Sequence, residues 1–483
     1  MAVSEETFFL DPGFEGTLQQ QIQALVAEGI LSGRLRAGEK LPSTRRLARH
    51  LGVSRITVTL AYTELQADDY ITSKGRSGYF VSQMAPRPRL AQRRAEVPDT
   101  VDWKRIIGTR FSDTIQLTKP ADWHRYRYPF IYGQADPALF DHANWRLCAL
   151  QALGLRDFEA MTSDYHERDD PRLVEFIARH SLPRRGILAG PEEILVTLGA
   201  QNALWLTAEV LLGSKRTAVI ESPCYPGLAG ILAQTGARIL PVPVDSGGLP
   251  VHEISPGIDV VFVTPSHHCP TSVTMPVDRR QALLARAAQD DFLIVEDDYE
   301  FEMSFLTPPS PALKSLDREG RVIHVGSFSK SLFPGLRLGY LVGPEAFIRE
   351  ARALRSTVLR HPPGHIQRTA AYFMSLGHYD ALIKRTARAL GARRAVMEKA
   401  IRANGLQIAG GGKGGSSFWM CAPNGTDTER LAEELRAEGV LIEPGAVFFP
   451  QSPAPGNYYR LAYSSIPEDR IPGGIARIAA ALA

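Results

Sequence analysis

The chain has 483 residues, of which 44% are apolar and 22% charged; this is the composition of a protein that buries a large core, and it excludes wholesale disorder. Length alone sets a prior of roughly three domains of about 150 residues, and at least two folding units are expected. The net charge of +3 is unevenly spread: from Thr17 to Arg94 there are thirteen Lys/Arg against five Asp/Glu, a surplus of eight that leaves the rest of the chain acidic by five, as expected of a polyanion-binding module carried on a domain with another task.

The opening MAVSEETFFLDPGFEG has no cationic start followed by an apolar stretch, and no apolar run anywhere is long enough to span a bilayer. A cytoplasmic protein without a membrane partner is expected. Thr17 followed by Gln20 has the form of a capping box, and Leu18, Ile22, Leu25 and Val26 recur at helical spacing until Gly33. Ser43, after Pro42, starts a short second helix with Leu47, Ala48 and Leu51 on one face. Beyond the turn at Gly52, Ser54 caps a third helix whose buried stripe is Val58, Ala61, Tyr62 and Leu65. Two helices meeting at a tight glycine turn form a helix-turn-helix. YITSKGRSGYFV then reads as a hairpin with cations at its tip, a wing.

In such a domain the third helix enters the major groove of double-stranded DNA. Arg55 is suited to guanine edges, and Thr57 or Thr59 to a thymine methyl. Ser43, Ser54, Arg45, Lys74 and Arg76 are the candidates for backbone contacts; phosphate contacts supply salt-dependent affinity without sequence information. Any one of these cations equally fits a solvated surface charge; the combination with the helix-turn-helix and wing points to DNA. The segment LPSTRRLARHLGVSRITVTLAYTELQADDYITSKGRSGYFV closely resembles the GntR-type winged helix-turn-helix, over roughly the first eighty residues.

APRPRLAQRRAEVPDT lacks apolar periodicity and reads as a semi-extended tether. The expected organisation is a winged helix-turn-helix over 1–85, a linker over 86–115 whose Arg87, Arg89, Arg93 and Arg94 are spacer or phosphate contacts, and a large domain over 116–483. In the last, the runs EILVTLG, TAVIES, DVVFVTP, DFLIVED and RVIHVGSFS alternate with helical segments, the pattern of an α/β domain with a mostly parallel sheet. Cys148, Cys224, Cys269 and Cys421 are too scattered for a metal-ligand spacing or a disulfide framework. No metal is expected.

Several of these runs end in residues suited to chemistry. RVIHVGSFSK ends in Ser327, Ser329 and Lys330, with Gly335 and Arg337 following: a lysine able to form a Schiff base with an aldehyde, beside hydroxyls and a guanidinium able to bind phosphate. DFLIVEDDYEFE places Asp297 and Tyr299 after a buried strand, where a carboxylate can pair with a protonated pyridine nitrogen. LVTLGAQNAL puts Gly199, Ala200 and Gln201 at a helix start, a ready anion site. Tyr225, ending VIESPCYPG, suits either a ring stack or the core.

These elements, in this order, resemble fold-type-I aminotransferases, most specifically in SFSKSLFPGLRLGY. The resemblance implies pyridoxal 5'-phosphate as cofactor: Lys330 its Schiff-base lysine, Asp297 the partner of the ring nitrogen, Tyr299 the ligand of the ring hydroxyl and Tyr225 the stacking residue. Ser327, Ser329 and Arg337, with the turn from Gly199 to Gln201, would hold the phosphate. Arg460, in NYYRLAYS, matches the arginine that clamps a substrate carboxylate, and read by itself it equally fits a surface salt bridge. Two departures stand out. In TPSHHCPTSVTM, Cys269 replaces the aromatic residue or asparagine before the proline and Ser272 replaces a glycine, so contacts at that loop do not carry over. YHERDDPRLVEF lacks the Asp-Pro-x-Gly run after Tyr165, so that residue receives no role. His267 and His268 fit either the pocket or a structural network.

A GntR-type head on an aminotransferase-like body is the arrangement of the MocR regulators. The resemblance implies a homodimer, head-to-tail, in which a small amino compound (an α-amino acid, a GABA-like or a taurine-like aminosulfonate) forms an aldimine with the cofactor and alters DNA binding, with the fold used as a sensor and not for turnover. Three other readings stay open at this stage: a working aminotransferase with a DNA-binding head, a regulator of vitamin B6 synthesis sensing the cofactor itself, and a dimerisation scaffold without cofactor.

Overall fold

A computed structural model describes residues 3–86, 101–109, 111–113, 118–164, 166–306, 308, 310–412 and 414–483. The chain divides into two compact units, Met1–Arg110 and Phe111–Ala483. Arg87, Arg89, Arg93, Arg94 and Tyr165 lie outside the described residues.

The first unit is built on α1 (Leu18–Leu31), α2 (Thr44–Leu51), α3 (Arg55–Ala67), β1 (Ile71–Ser73) and β2 (Tyr79–Val81). The capping box on α1 is complete, Thr17 accepting from the Gln20 N–H while the Gln20 side chain accepts from Thr17 N–H. Ser43 and Ser54 cap α2 and α3 through their hydroxyl oxygens. Gly52 ends α2 at φ 67°, a left-handed value that glycine adopts without a Cβ penalty, and so turns the chain into α3. The buried stripes of the three helices, among them Ile22, Val26, Leu47, Val58, Tyr62 and Leu65, close one core, each such side chain contributing about 1.5–3 kcal/mol by leaving water. β1 and β2 pair antiparallel from Ile71–Val81 to Ser73–Tyr79.

The second unit carries a seven-stranded sheet. In chain order its main elements are β3 (Ile194–Thr197), α4 (Ala200–Leu211), β4 (Thr217–Ser222), α5 (Pro226–Gln234), β5 (Arg238–Pro243), β6 (Val260–Val263), α6 (Val277–Asp290), β7 (Leu293–Asp298), β8 (Val322–Ser327) and β9 (Gly339–Val342). The sheet order is β3-β9-β8-β7-β6-β4-β5, parallel except for β9, which runs against both β3 and β8. Every residue of β3, β6, β8 and β9 is buried, which is why these strands read as unbroken apolar runs and not as alternations. Helices α4 and α5 pack on one face, and α6 on the other.

Two strands were not legible in the sequence. β5 is an edge strand with a single buried residue, Val242, and prolines at two positions, and β9 is four residues long, directly after the loop of the conspicuous lysine. The chain then continues through α7 (Glu345–Leu359), α8 (Gly364–Ser375) and α9 (His378–Ala403) into β10 (Gln407–Ile408), β11 (Ser417–Cys421), α10 (Thr428–Ala437), β12 (Glu443–Pro444), β13 (Tyr458–Ala462) and α11 (Ile471–Leu482). Strands β10, β11, β13 and β12 form a separate antiparallel sheet backed by α9 and α11. Among the described residues no helix is long and apolar enough to cross a membrane.

Candidate functional site

The carboxyl ends of β3, β7 and β8 converge. Gly339 at the start of β9 is level with both Thr197, the last residue of β3, and Ser327, the last of β8. Asp297 on β7 is level with Val325 on β8. Alternation along β7 separates three consecutive acids. Glu296 turns to one face, where it accepts from the Leu313 and Lys314 N–H groups and pairs with His324 at 3.0 Å. Asp298 is on the same face, paired with Arg185 at 2.5 Å. Asp297 points the other way, into a cavity of about 460 Å³.

Every residue singled out in the sequence as a cofactor or effector ligand lines that cavity, except Gly199, which sits directly behind it. At Gly199 φ is 81°, and a Cβ there would stand 3.4 Å from Ser329 Oγ and 3.7 Å from the Arg337 guanidinium; it also leaves the α4 N-terminus uncapped by any side chain, with Ala200 and Gln201 opening onto the cavity. Arg337 itself has φ 51°, a strained value for an arginine and a common mark of functional loops. Ser329 N–H donates to Ser327 Oγ at 3.2 Å, while the buried Ser329 Oγ has no partner among the described residues. Tyr225 flanks the cavity, its hydroxyl 3.4 Å from Gln201 Oε1. Tyr299 donates to the His267 carbonyl at 3.1 Å.

Electrostatics single out the same groups. Asp297 Oδ1 is out of reach of solvent and unpaired among the described residues; burial first, then Asp298 and Glu221, push its pKa up to about 8. Burial and the neighbouring Lys119 bring Lys330 down to about 8, the condition of a nucleophilic lysine near neutrality. The Lys330 Nζ lies 4.2 Å from the centre of the Tyr132 ring. Gly133 has φ 73°, a value that favours glycine, and a Cβ there would overlap that Nζ and push the lysine end aside.

Arg460 Nε is held by Glu443 Oε2 at 2.7 Å and Nη1 lies 3.8 Å from Cys269 Sγ, with the guanidinium between the rings of Tyr132 and Phe448 at 4.2 and 4.6 Å. Only its Nη end is therefore left for a ligand acid. Cys269 lines the cavity where the family pattern has a larger or amide side chain. Ser272 takes the left-handed value its glycine counterpart suggests, φ 59°, and its hydroxyl donates to the Ser417 carbonyl. His267 and His268 do not line the cavity: His267 bonds the Glu300 carbonyl and Ser304, and His268 bonds Thr271 and faces Glu221 at 3.4 Å. Lys119, Tyr132, Glu443 and Phe448 went unnoticed in the sequence because they stand on short segments far apart in the chain, with no motif around them.

On the first unit, Arg45, Ser54, Arg55 and Lys74 are exposed. The Lys74 Nζ sits 5.0 Å from the Phe80 ring centre. The Arg76 side chain lies outside the described residues. The hydroxyls of Ser43, Ser54 and Thr57 are engaged at the helix starts, and Thr59 donates to the Arg55 carbonyl, so Thr59 presents its methyl and not its hydroxyl. Ile56 and Leu60, 71% and 48% exposed on α3, are apolar groups outside its buried stripe.

The bacterial regulatory proteins, gntR family, match residues 18–81, and aminotransferase class I and II matches residues 157–478. The chain belongs to both families, with a GntR-type winged helix-turn-helix and a fold-type-I aminotransferase fold, and is a DNA-binding transcriptional regulator of the MocR type. It is 60% identical over the full length of both chains to the HTH-type transcriptional regulator TauR of Rhodobacter capsulatus. It is 31% identical, over 80% of this chain and 78% of the other, to the probable rhizopine catabolism regulatory protein MocR of Rhizobium meliloti. Its fold matches LysN, an alpha-aminoadipate aminotransferase from Thermus thermophilus solved with N-(5'-phosphopyridoxyl)-L-leucine, at TM-score 0.71 and 26% identity over 79% of this chain and 98% of that one.

Proposed function

We propose that this regulator binds pyridoxal 5'-phosphate in the cavity of its second unit and responds there to a small compound carrying a primary amine and an acid group, with the response altering operator binding by the first unit. The observation that carries the reading is the pair of unsatisfied buried polar groups, the Asp297 Oδ1 acceptor and the Ser329 hydroxyl. They lie in one cavity with a lysine brought near neutrality. A buried carboxylate without a counter-ion is costly; a protonated pyridine nitrogen answers Asp297, and a phosphate answers Ser327, Ser329, Arg337 and the open start of α4 at Gly199, Ala200 and Gln201.

Bound there, the cofactor supplies an aldehyde that condenses with primary amines. Tyr225 offers its ring face, Tyr299 a phenol for the ring hydroxyl, Lys330 the amine that an incoming ligand replaces, and Arg460 the Nη end for the ligand's acid. α-Amino acids, GABA-like and taurine-like molecules all meet that description. Gln201 and Arg337 are exposed at the phosphate end, which suits closure by a second subunit in a head-to-tail homodimer. On the operator, Arg55, Thr57 and Thr59 of α3 read bases, while Ser43, Arg45, Ser54, Lys74 and Arg76 contact the backbone.

The test is a visible spectrum of the protein with pyridoxal phosphate, followed by amine titrations, a keto-acid assay and operator binding. The lysine-bound cofactor band is expected in the wild type and absent in Lys330→Ala. Amines are expected to shift the band and change operator affinity without sustained keto product. Multiple turnovers would instead establish a working aminotransferase, and no band in the wild type would remove the cofactor assignment.

A further inference from the structure

We infer that Lys119 is a second cation of the acid subsite, and that it, not Arg460, gives the subsite its net positive charge. This rests on the reading above, that an amine-bearing acid enters the cavity. Lys119 lines the cavity with Arg460. Its Nζ stands 3.4 Å from Glu443 Oε1 and donates to the Tyr132 carbonyl. The other oxygen of the same carboxylate, Oε2, accepts from Arg460 Nε, and the Tyr132 N–H completes the set at Oε1, 3.1 Å away. One carboxylate thus orients two cations and the backbone of the residue whose ring both Arg460 and Lys330 approach at 4.2 Å.

The charges decide the role. Burial alone would raise the Glu443 carboxyl, but Arg460 and Lys119 hold it below the usual carboxylate range, so it is ionised at neutral pH. Arg460 and Glu443 by themselves form a neutral buried pair, which offers an anion little net attraction. Burial lowers the Lys119 ammonium from the usual lysine value, and Glu443 works against that shift; as the ammonium, Lys119 adds one positive charge to the pair, the amount a single carboxylate or sulfonate neutralises. An ammonium has three N–H donors; Glu443 and the Tyr132 carbonyl occupy two, and the Lys119 side chain keeps 24% of its surface exposed, so a third donor is available to a ligand. The cation also stands close enough to help lower Lys330, tying the acid subsite to the amine site.

The experiment compares three probes with the same two-carbon primary amine: taurine, β-alanine and the acid-free ethanolamine. Each is titrated into the full-length protein loaded with pyridoxal phosphate, in wild type, Lys119→Met and Lys119→Arg, by cofactor absorbance. Lys119→Met is expected to weaken taurine and β-alanine by about tenfold or more, the scale of one charge-assisted hydrogen bond, while ethanolamine is nearly unaffected; Lys119→Arg is expected to recover most of the loss. Equal weakening of all three probes, or no change in any, overturns the inference and leaves Lys119 a structural tie between Tyr132 and Glu443. If the wild type shows no cofactor band, the reading above fails, and the subsite is then read in the cofactor-free protein by thermal shift with methanesulfonate. Stabilisation of the wild type but not of Lys119→Met upholds the subsite, and identical behaviour of the two overturns it.

Discussion

Asp297 in the cavity and Gly133 against the Lys330 Nζ show how much a single position is constrained. With its pKa raised by burial to about 8, the Asp297 carboxyl holds its proton in the folded chain over a range where the unfolded chain has lost it. Its contribution to stability is full below pH about 4 and is lost as the pH rises toward 8. In the cofactor-free protein, Asp297→Asn should therefore flatten the fall of stability between pH 5 and 8, by up to about 1.4 kcal/mol per pH unit. Urea titrations across that range would read it, and an unchanged slope would show that the folded carboxyl is already ionised. Some pH dependence should persist, because burial raises Glu302 to about 8 as well. At Gly133, φ is 73° and a Cβ would occupy the place of Lys330 Nζ. Gly133→Ala is expected to leave the core intact but displace the lysine, so that circular dichroism is retained while the cofactor band weakens.

At the scale of elements, α3, the helix proposed to read bases, depends on the residue that caps it. Ser54 accepts from the Thr57 N–H at 3.0 Å and exchanges a hydroxyl contact with Thr57 at 2.8 Å, so one side chain both starts α3 and orients a base-reading candidate. Ser54→Ala should destabilise the first unit by about 1 kcal/mol and weaken operator binding beyond what the fraction unfolded explains. Loss of stability with unchanged affinity of the folded protein would separate capping from recognition. In the second unit the strand ends do the positioning. Because side chains alternate along β7, the pairs Glu296–His324 and Asp298–Arg185 anchor one face and leave Asp297 aimed at the other, where the lysine loop after β8 meets it.

At the scale of the whole molecule, the basic surplus between Thr17 and Arg94 falls on the part of the chain that carries the winged helix-turn-helix. If Lys74 at the wing contacts the DNA backbone, Lys74→Ala should reduce the slope of log affinity against log salt by about one and weaken different operators equally. A change in base preference instead would place Lys74 in the groove. The two units each have their own core, so this substitution should leave the cofactor spectrum and amine response as they are in the wild type.

The sequence by itself determined the classes of both units and picked out most of the residues that line the cavity, because these features are local. Caps at Thr17, Ser43 and Ser54, the turn at Gly52 and the strand-loop segment around Lys330 are spelled out within a few consecutive residues, and buried parallel strands announce themselves as apolar runs. What only the tertiary structure decided is non-local. Glu443, Lys119 and Arg460 lie on three separated segments, and nothing in their neighbourhoods along the chain foretells that one carboxylate ties two cations together. The same holds for His267 and His268, which meet Glu300 and Glu221 from other segments of the second unit, and for Arg460, whose place in the chain does not say that Glu443 would hold its Nε. Periodicity reports which face of an element is buried, whereas the partners waiting on that face are chosen by the packing of elements distant in sequence.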